Sequence, residues 1–202
     1  MATNSPDEKW STAEEEIMQA TYQTLLVNGY ADLSISGIAD ELGKSKAALY
    51  YHYDSKDDLL VAFLEFAVDR FEAMVSTETG ENPNEDLEHV VEKLLPLQPV
   101  EEQRQLQEVL VGLRSQAVTN EPFREQFTRI DERLATTIGE IIQRGIDEGV
   151  FRDVDPTRVA EHILATVNGA MYARATTDRQ NAPAAARVSL SSYIDSELRR
   201  TA

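Results

Sequence analysis

Two short apolar-periodic segments on either side of Gly43 constrain the fold of this chain more than any other feature. Ser34 is placed to cap a helix whose apolar positions Ile35, Ile38, Ala39 and Leu42 recur at helical spacing. Gly43 follows, where a chain that reverses after one short helix favours a residue tolerating positive φ. Ser45 is placed to cap a second short helix carrying Ala48, Leu49 and Tyr53 inward or along its edge. Asp54 or Ser55 then opens a third, with Lys56, Asp57 and Asp58 in its first turn. Two short helices joined by a tight glycine-containing turn form a helix-turn-helix unit.

The charge of this stretch differs from that of the rest. Residues 44–56 hold Lys44, Lys46 and Lys56, three of the chain's five lysines, plus His52, against the single acid Asp54. The whole chain carries a formal net charge of −17. A local basic surplus inside so acidic a chain points to phosphate contact. In a helix-turn-helix the second helix enters the major groove N-terminus first, and its groove-facing side here is small and polar: Ser45, Lys46, Ala47 and Tyr51. Small residues allow the helix close to base edges, while serine, lysine and tyrosine suit phosphate oxygens.

The end of helix 1 at Asn28-Gly29-Tyr30, the segment Leu49-Tyr50-Tyr51-His52-Tyr53 and the following Ser55-Lys56 resemble the N-terminal domain of TetR-type (TetR/AcrR) transcriptional regulators. The motif likeness covers about a quarter of the chain; the segment 145–177 more faintly resembles the C-terminal domain of BetI-like members. The resemblance implies phosphate contacts at Ser34 or Ser36, Tyr50, Tyr51, His52 and Lys56, and base reading at Ser45, Lys46, Ala47 and Tyr51. Two positions depart from the family pattern. Gly37 sits inside helix 2, where it costs about 1 kcal/mol relative to alanine. Lys44 replaces a small apolar residue, adding a phosphate contact or a solvated charge.

Outside this stretch the pattern is helical, with no strand-like alternation. The fold expected is all-α: a tail over 1–11, a three-helix DNA-binding domain over 12–56 and a larger helical regulatory and dimerisation domain over 57–202. Ser11-Thr12-Ala13-Glu14 reads as a capping box for helix 1, with Ile17, Ala20, Thr21 and Leu25 on one face. A helix over 55–75 is followed by a loop over 76–84, and further helices over 85–95, 101–118, 120–149, 155–175 and 184–200. In the helix after Pro156, Ala165, Gly169 and Ala173 form a row of small residues at four-residue steps, permitting close helix approach. With Tyr193 and Ile194 of the last helix they are the expected homodimer interface, since two reading helices need a twofold axis to match a palindromic operator.

TetR-type proteins generally bind a small molecule among the helices of the second domain, which implies an effector of unknown identity. Phe63, Phe66, Phe123, Phe127, Met171 and Tyr172 are candidate pocket residues and equally candidates for plain core. Arg114 is placed to pair with an acidic effector or with a nearby carboxylate. No metal or cofactor is expected. Without cysteine there is no disulfide and no thiolate ligand, and Asp86-x-x-His89 is only half of a bundle di-metal motif. Neither a phosphate-binding glycine loop nor a nucleophile elbow is present, so no enzyme is expected. With no signal-like start and no apolar run near membrane-spanning length, a cytoplasmic protein without membrane contact is expected. The alternative is a helical ligand- or partner-binding protein without operator binding.

That alternative draws its strength from acidity. Residues 1–56 hold nine acids against four bases, whereas nucleic-acid binders are usually basic. Most of these acids precede residue 33 or lie on helix 2, where they can face away from a duplex. Acid excess with five lysines against fourteen arginines suggests adaptation to a halophile's cytoplasm, where concentrated salt screens self-repulsion. The melting temperature is therefore expected to climb between dilute and molar KCl; a thermal melt that stays flat over that range rejects the assignment.

Overall fold

The computed structural model describes residues 9–78 and 82–200, of 74–78 the backbone alone. It is built of α1 (Thr12–Asn28), α2 (Ile35–Leu42), α3 (Lys46–Tyr50), α4 (Lys56–Glu78), α5 (Pro83–Leu94), α6 (Glu101–Gln116), α7 (Glu121–Asp147), α8 (Pro156–Thr176) and α9 (Ala182–Tyr193). A π-helical turn over Ile194–Leu198 extends α9. Among the described residues the only extended pairing is an isolated antiparallel bridge between Phe151 and Arg199. The fold is all-α, as the periodicity predicts.

Two compact units divide the chain: Met1–Ala73 with Gly112–Phe127, and Met74–Val111 with Thr128–Ala202. This differs from the cut after residue 56. Most of α4 joins the first unit, together with the turn between α6 and α7. Leu59, Leu60, Phe63, Leu64 and Val68 of α4 are buried, as are Phe123 and Phe127 of α7. Asn120 donates to Asp57 Oδ2 at 2.9 Å, tying that turn to the first turn of α4.

In the first unit, α1 begins with the expected capping box. Glu14 N–H donates to Ser11 Oγ at 3.3 Å, and Ser11 N–H donates to Glu14 Oε2 at 2.8 Å. The hydroxyl and backbone of Ser11 hold the Glu14 carboxyl below its usual range. Ile17, Ala20, Thr21 and Leu25 are buried, joined by Met18 and Thr24. Both threonines satisfy their hydroxyls locally, Thr21 on Ile17 O at 2.8 Å and Thr24 on Ala20 O at 2.7 Å.

Of the expected tail, residues 1–8 lie outside the described residues, while Lys9 and Trp10 are held against α4. Trp10 Nε1 donates to Asp69 Oδ2 at 3.0 Å, and its ring meets Phe66 edge-on at 5.4 Å. Lys9 Nζ reaches Glu65 at 2.7 Å and Asp69 at 2.8 Å. The polar sequence hid this clasp because its partners lie nearly sixty residues away.

In the second unit the expected loop over 76–84 is shorter. The preceding helix runs on to Glu78, 79–81 lie outside the described residues, and Asn82 caps α5 by accepting from Asn84 N–H at 3.0 Å. Pro83, read as punctuation, instead occupies the first helical turn, where its missing N–H costs nothing. Asp155 caps α8 through the N–H groups of Thr157 and Arg158, at 3.0 and 3.2 Å. The chain end is fixed by Arg199, which reaches Asn84 at 3.0 Å, Asp195 at 2.7 Å and Glu88. At the other end of the bridge, Phe151 is fully buried against Gly145. A Cβ on Gly145 would stand 2.1 Å from the Phe151 ring, so Gly145→Ala must displace that ring. Chemical denaturation is expected to show a loss of about 1–3 kcal/mol for this variant.

Candidate nucleic-acid interface

The turn between α2 and α3 closes as its residues require. Gly37 N–H donates to Ser34 Oγ at 3.1 Å at the start of α2. Gly43 adopts φ +67°, ψ 26°, and Lys44 N–H returns to Ala39 O at 3.0 Å. Ile35, Ile38 and Ala39 are buried, and Leu49 anchors α3 to the same core. Gly37 has ordinary space around it: an added Cβ would lie 3.5 Å from Ser34 Oγ and Thr24 Cγ2.

Ser45 stands at the N-cap of α3 but makes no capping bond, unlike the expectation from its position. Its exposed hydroxyl is not engaged by the helix. Ser34, Lys44, Ser45, Lys46, Ala47, Tyr50, Tyr51 and His52 are all exposed, whereas Ser36 and Lys56 are half-buried. Tyr51 is 86 % exposed, with its ring edge-on to His52 at 5.2 Å. Tyr53 turns inward instead. Its hydroxyl has no hydrogen-bond partner among the described residues, and desolvation, reinforced by the charge of Glu14, pushes its pKa up to about 12.

The three lysines have different fates. Lys44 Nζ donates to Glu16 Oε2 at 2.6 Å. Lys56 Nζ lies 5.0 Å from the centre of the Tyr30 ring and 3.3 Å from Leu33 O. Lys46 is exposed and forms no salt bridge among the described residues. Neither Glu16 nor Tyr30 was identifiable from sequence, since each meets its lysine across more than twenty intervening positions.

The other candidate sets are partly dispersed. Phe63, Phe123 and Phe127 are buried, Phe66 sits between Trp10 and the Arg70 guanidinium, and Arg114 lies 4.5 Å over the Phe127 ring, all in the first unit. Met171 and the exposed Tyr172 belong to α8 in the second unit, so these seven are not one cluster. On α8, Ala165 and Gly169 are exposed and Ala173 half-exposed; a Cβ on Gly169 would meet nothing within 4 Å. Tyr193 packs its ring 4.6 Å from His162. Ile194 is buried within this chain, one helical turn after the buried Leu190. Asp86 of the half di-metal motif is buried and paired with Arg144. Among the described residues no group of three or more metal-ligating side chains gathers, and no helix is long and apolar enough to cross a membrane.

Residues 17–63, which contain this turn, match the model of the tetR family of bacterial regulatory proteins, and residues 83–199 match that of the BetI-type transcriptional repressor C-terminal domain. The chain belongs to the TetR family. A TetR transcription regulator from Haloarcula marismortui is 40 % identical, superposes with a TM-score of 0.84 and aligns over 94 % of this chain and 100 % of its own. A putative transcriptional regulator from Saccharomonospora viridis, solved in complex with choline, is 27 % identical with a TM-score of 0.79, over 95 % of this chain and 100 % of its own. The nucleoid occlusion factor SlmA of Vibrio cholerae is 27 % identical over 175 residues, 85 % of this chain and 88 % of SlmA. As a TetR-type protein with this helix-turn-helix, the chain is a DNA-binding transcription regulator.

A phosphate reaching Lys44 would have to displace Glu16. In a titration of labelled duplex, Glu16→Gln is expected to tighten binding about threefold near ~0.1 M salt and to steepen the salt dependence by about one phosphate contact. An unchanged salt slope would place Lys44 off the duplex.

Proposed function

We propose that this protein is a ligand-responsive repressor that binds a palindromic operator as a homodimer. The observation that carries the proposal is the exposed face of α3 and its turn. Lys46, Ala47 and Tyr51 stand out from a helix anchored by Leu49, and none of the described residues covers them. Base edges are assigned to Ser45, Lys46, Ala47 and Tyr51; phosphates are assigned to Ser34 or Ser36, Lys44, Tyr50, His52 and Lys56. Lys56 fits the role of an oriented phosphate ligand, because Tyr30 and Leu33 O restrict its rotamers before DNA arrives. The second copy is assigned to the exposed Ala165–Gly169–Ala173 side of α8, next to Tyr193. The BetI-type C-terminal domain supports repression, and the choline-bound relative supports a small-molecule input. The relative from Haloarcula marismortui, a halophile, supports the high-salt reading of the composition.

Similarity to SlmA supports a second reading, in which DNA binding serves a partner other than the transcription machinery. Fluorescence anisotropy with duplexes from upstream of the coding sequence tests the first. Saturable binding to one palindromic segment is expected, and the double variant Lys46→Ala, Tyr51→Ala should lose at least ~30-fold in affinity. Equal binding by the double variant, or no sequence enriched from a randomised library, rejects operator recognition.

A further inference from the structure

Arg174 closes α8 in an unusual state. It is 6 % exposed, and among the described residues its Nη2 has no hydrogen-bond partner and no carboxylate reaches it within ion-pair distance. The other buried arginine, Arg187, is paired with Glu92 at 3.5 Å and bonded to Ser191. An unpaired guanidinium in such a place is costly unless something else completes it. The cover comes from this chain alone, so a second copy is not what buries it.

Its surroundings define what is missing. Arg174 continues the buried stripe of Ile163, Val167 and Ala170 on the same face of α8. The charges acting on it come from α6: exposed Glu108 attracts it and Arg104 repels it. Between those two on α6 lies Gln107, also buried, whose Oε1 has no partner among the described residues; its Nε2 makes a 3.4 Å bond to Leu94 O. A buried guanidinium nitrogen, Nη2 of Arg174, and a buried acceptor are thus both unsatisfied in the second unit.

We propose that Arg174, with Gln107, binds the carboxylate of a small organic acid with an apolar body, and that this acid is the effector. The planar guanidinium matches a carboxylate with two parallel bonds, the stripe below Arg174 takes the apolar body, and Gln107 Oε1 takes a ligand donor. A quaternary ammonium such as choline does not suit this site, because Arg174 repels it. The inference rests on the ligand-responsive reading above. It adds the chemical class of the ligand and two residues that the sequence pattern had not singled out.

Thermal melts of the full chain without DNA test it, at constant ionic strength set with KCl. The probes are hexanoate, benzoate, phenyl phosphate and choline. Hexanoate or benzoate is expected to raise the midpoint by roughly 5 °C at about 100-fold excess over its dissociation constant. Arg174→Met should melt above the wild type without ligand, since an apolar side chain of similar volume replaces an unpaired charge, and should not respond to either acid. Glu108→Gln, which removes only an exposed neighbour, should keep the response. The proposal is overturned if neither acid stabilises the wild type, if Arg174→Met still responds or melts lower than the wild type, or if phenyl phosphate or choline stabilises more than the acids. Operator anisotropy run in parallel separates the two claims. Carboxylate binding that leaves DNA affinity unchanged removes the ligand-responsive reading and the effector role, while intact operator binding with no acid response removes the Arg174 site alone.

Discussion

Helices as short as α2 and α3 are not stable alone, because a few backbone bonds do not repay the cost of nucleating a helix. Their existence and mutual direction rest on the left-handed turn at Gly43 and on the buried side chains Ile35, Ile38, Ala39 and Leu49 that pin both against the same core. The turn fixes where α3 points, and the core fixes which of its faces stays outside. The exposure of Ser45 to Ala47 and of Tyr50 to His52 follows from those two conditions.

Charge acts on that frame in a restrained way. A chain of net charge −17 gains little from long-range attraction to DNA, so its few lysines matter individually. Two of the three near the turn are already engaged, Lys44 by a carboxylate and Lys56 by a ring and a carbonyl. The carboxylate offsets the charge of Lys44, whereas the ring and carbonyl restrict Lys56 without neutralising it. In concentrated salt, where counterion release contributes little, orientation counts for more than net charge.

In the second unit buried Asp86 is paired with Arg144 and buried Arg187 with Glu92, and Arg199 ties the chain end to α5. These pairs position the ends of helices whose apolar sides alone leave their register loosely defined. Arg174 departs from the rule, which is why it draws a functional explanation while the paired arginines need only a structural one.

Sequence by itself determined the helices, their caps and the reading turn. Ser11, Ser34, Asp155 and Gly43 act on neighbours within a few positions, so their roles follow from local geometry, and the apolar periodicity of α1, α2 and α8 selected the sides that are buried. Local rules also misplaced a few features. Ser45 reads as a cap yet makes no capping bond, and Pro83 reads as a break yet starts a helix. Tertiary structure alone decided the pairing of Lys44 with Glu16, the clasp of Trp10 on Asp69, the assignment of α4 to the first unit and the burial of Arg174. Each of these depends on groups far apart in the chain meeting in space. Periodicity can say that Arg174 shares a face with Val167 and Ala170; only the packed fold shows that its Nη2 finds no partner among the described residues.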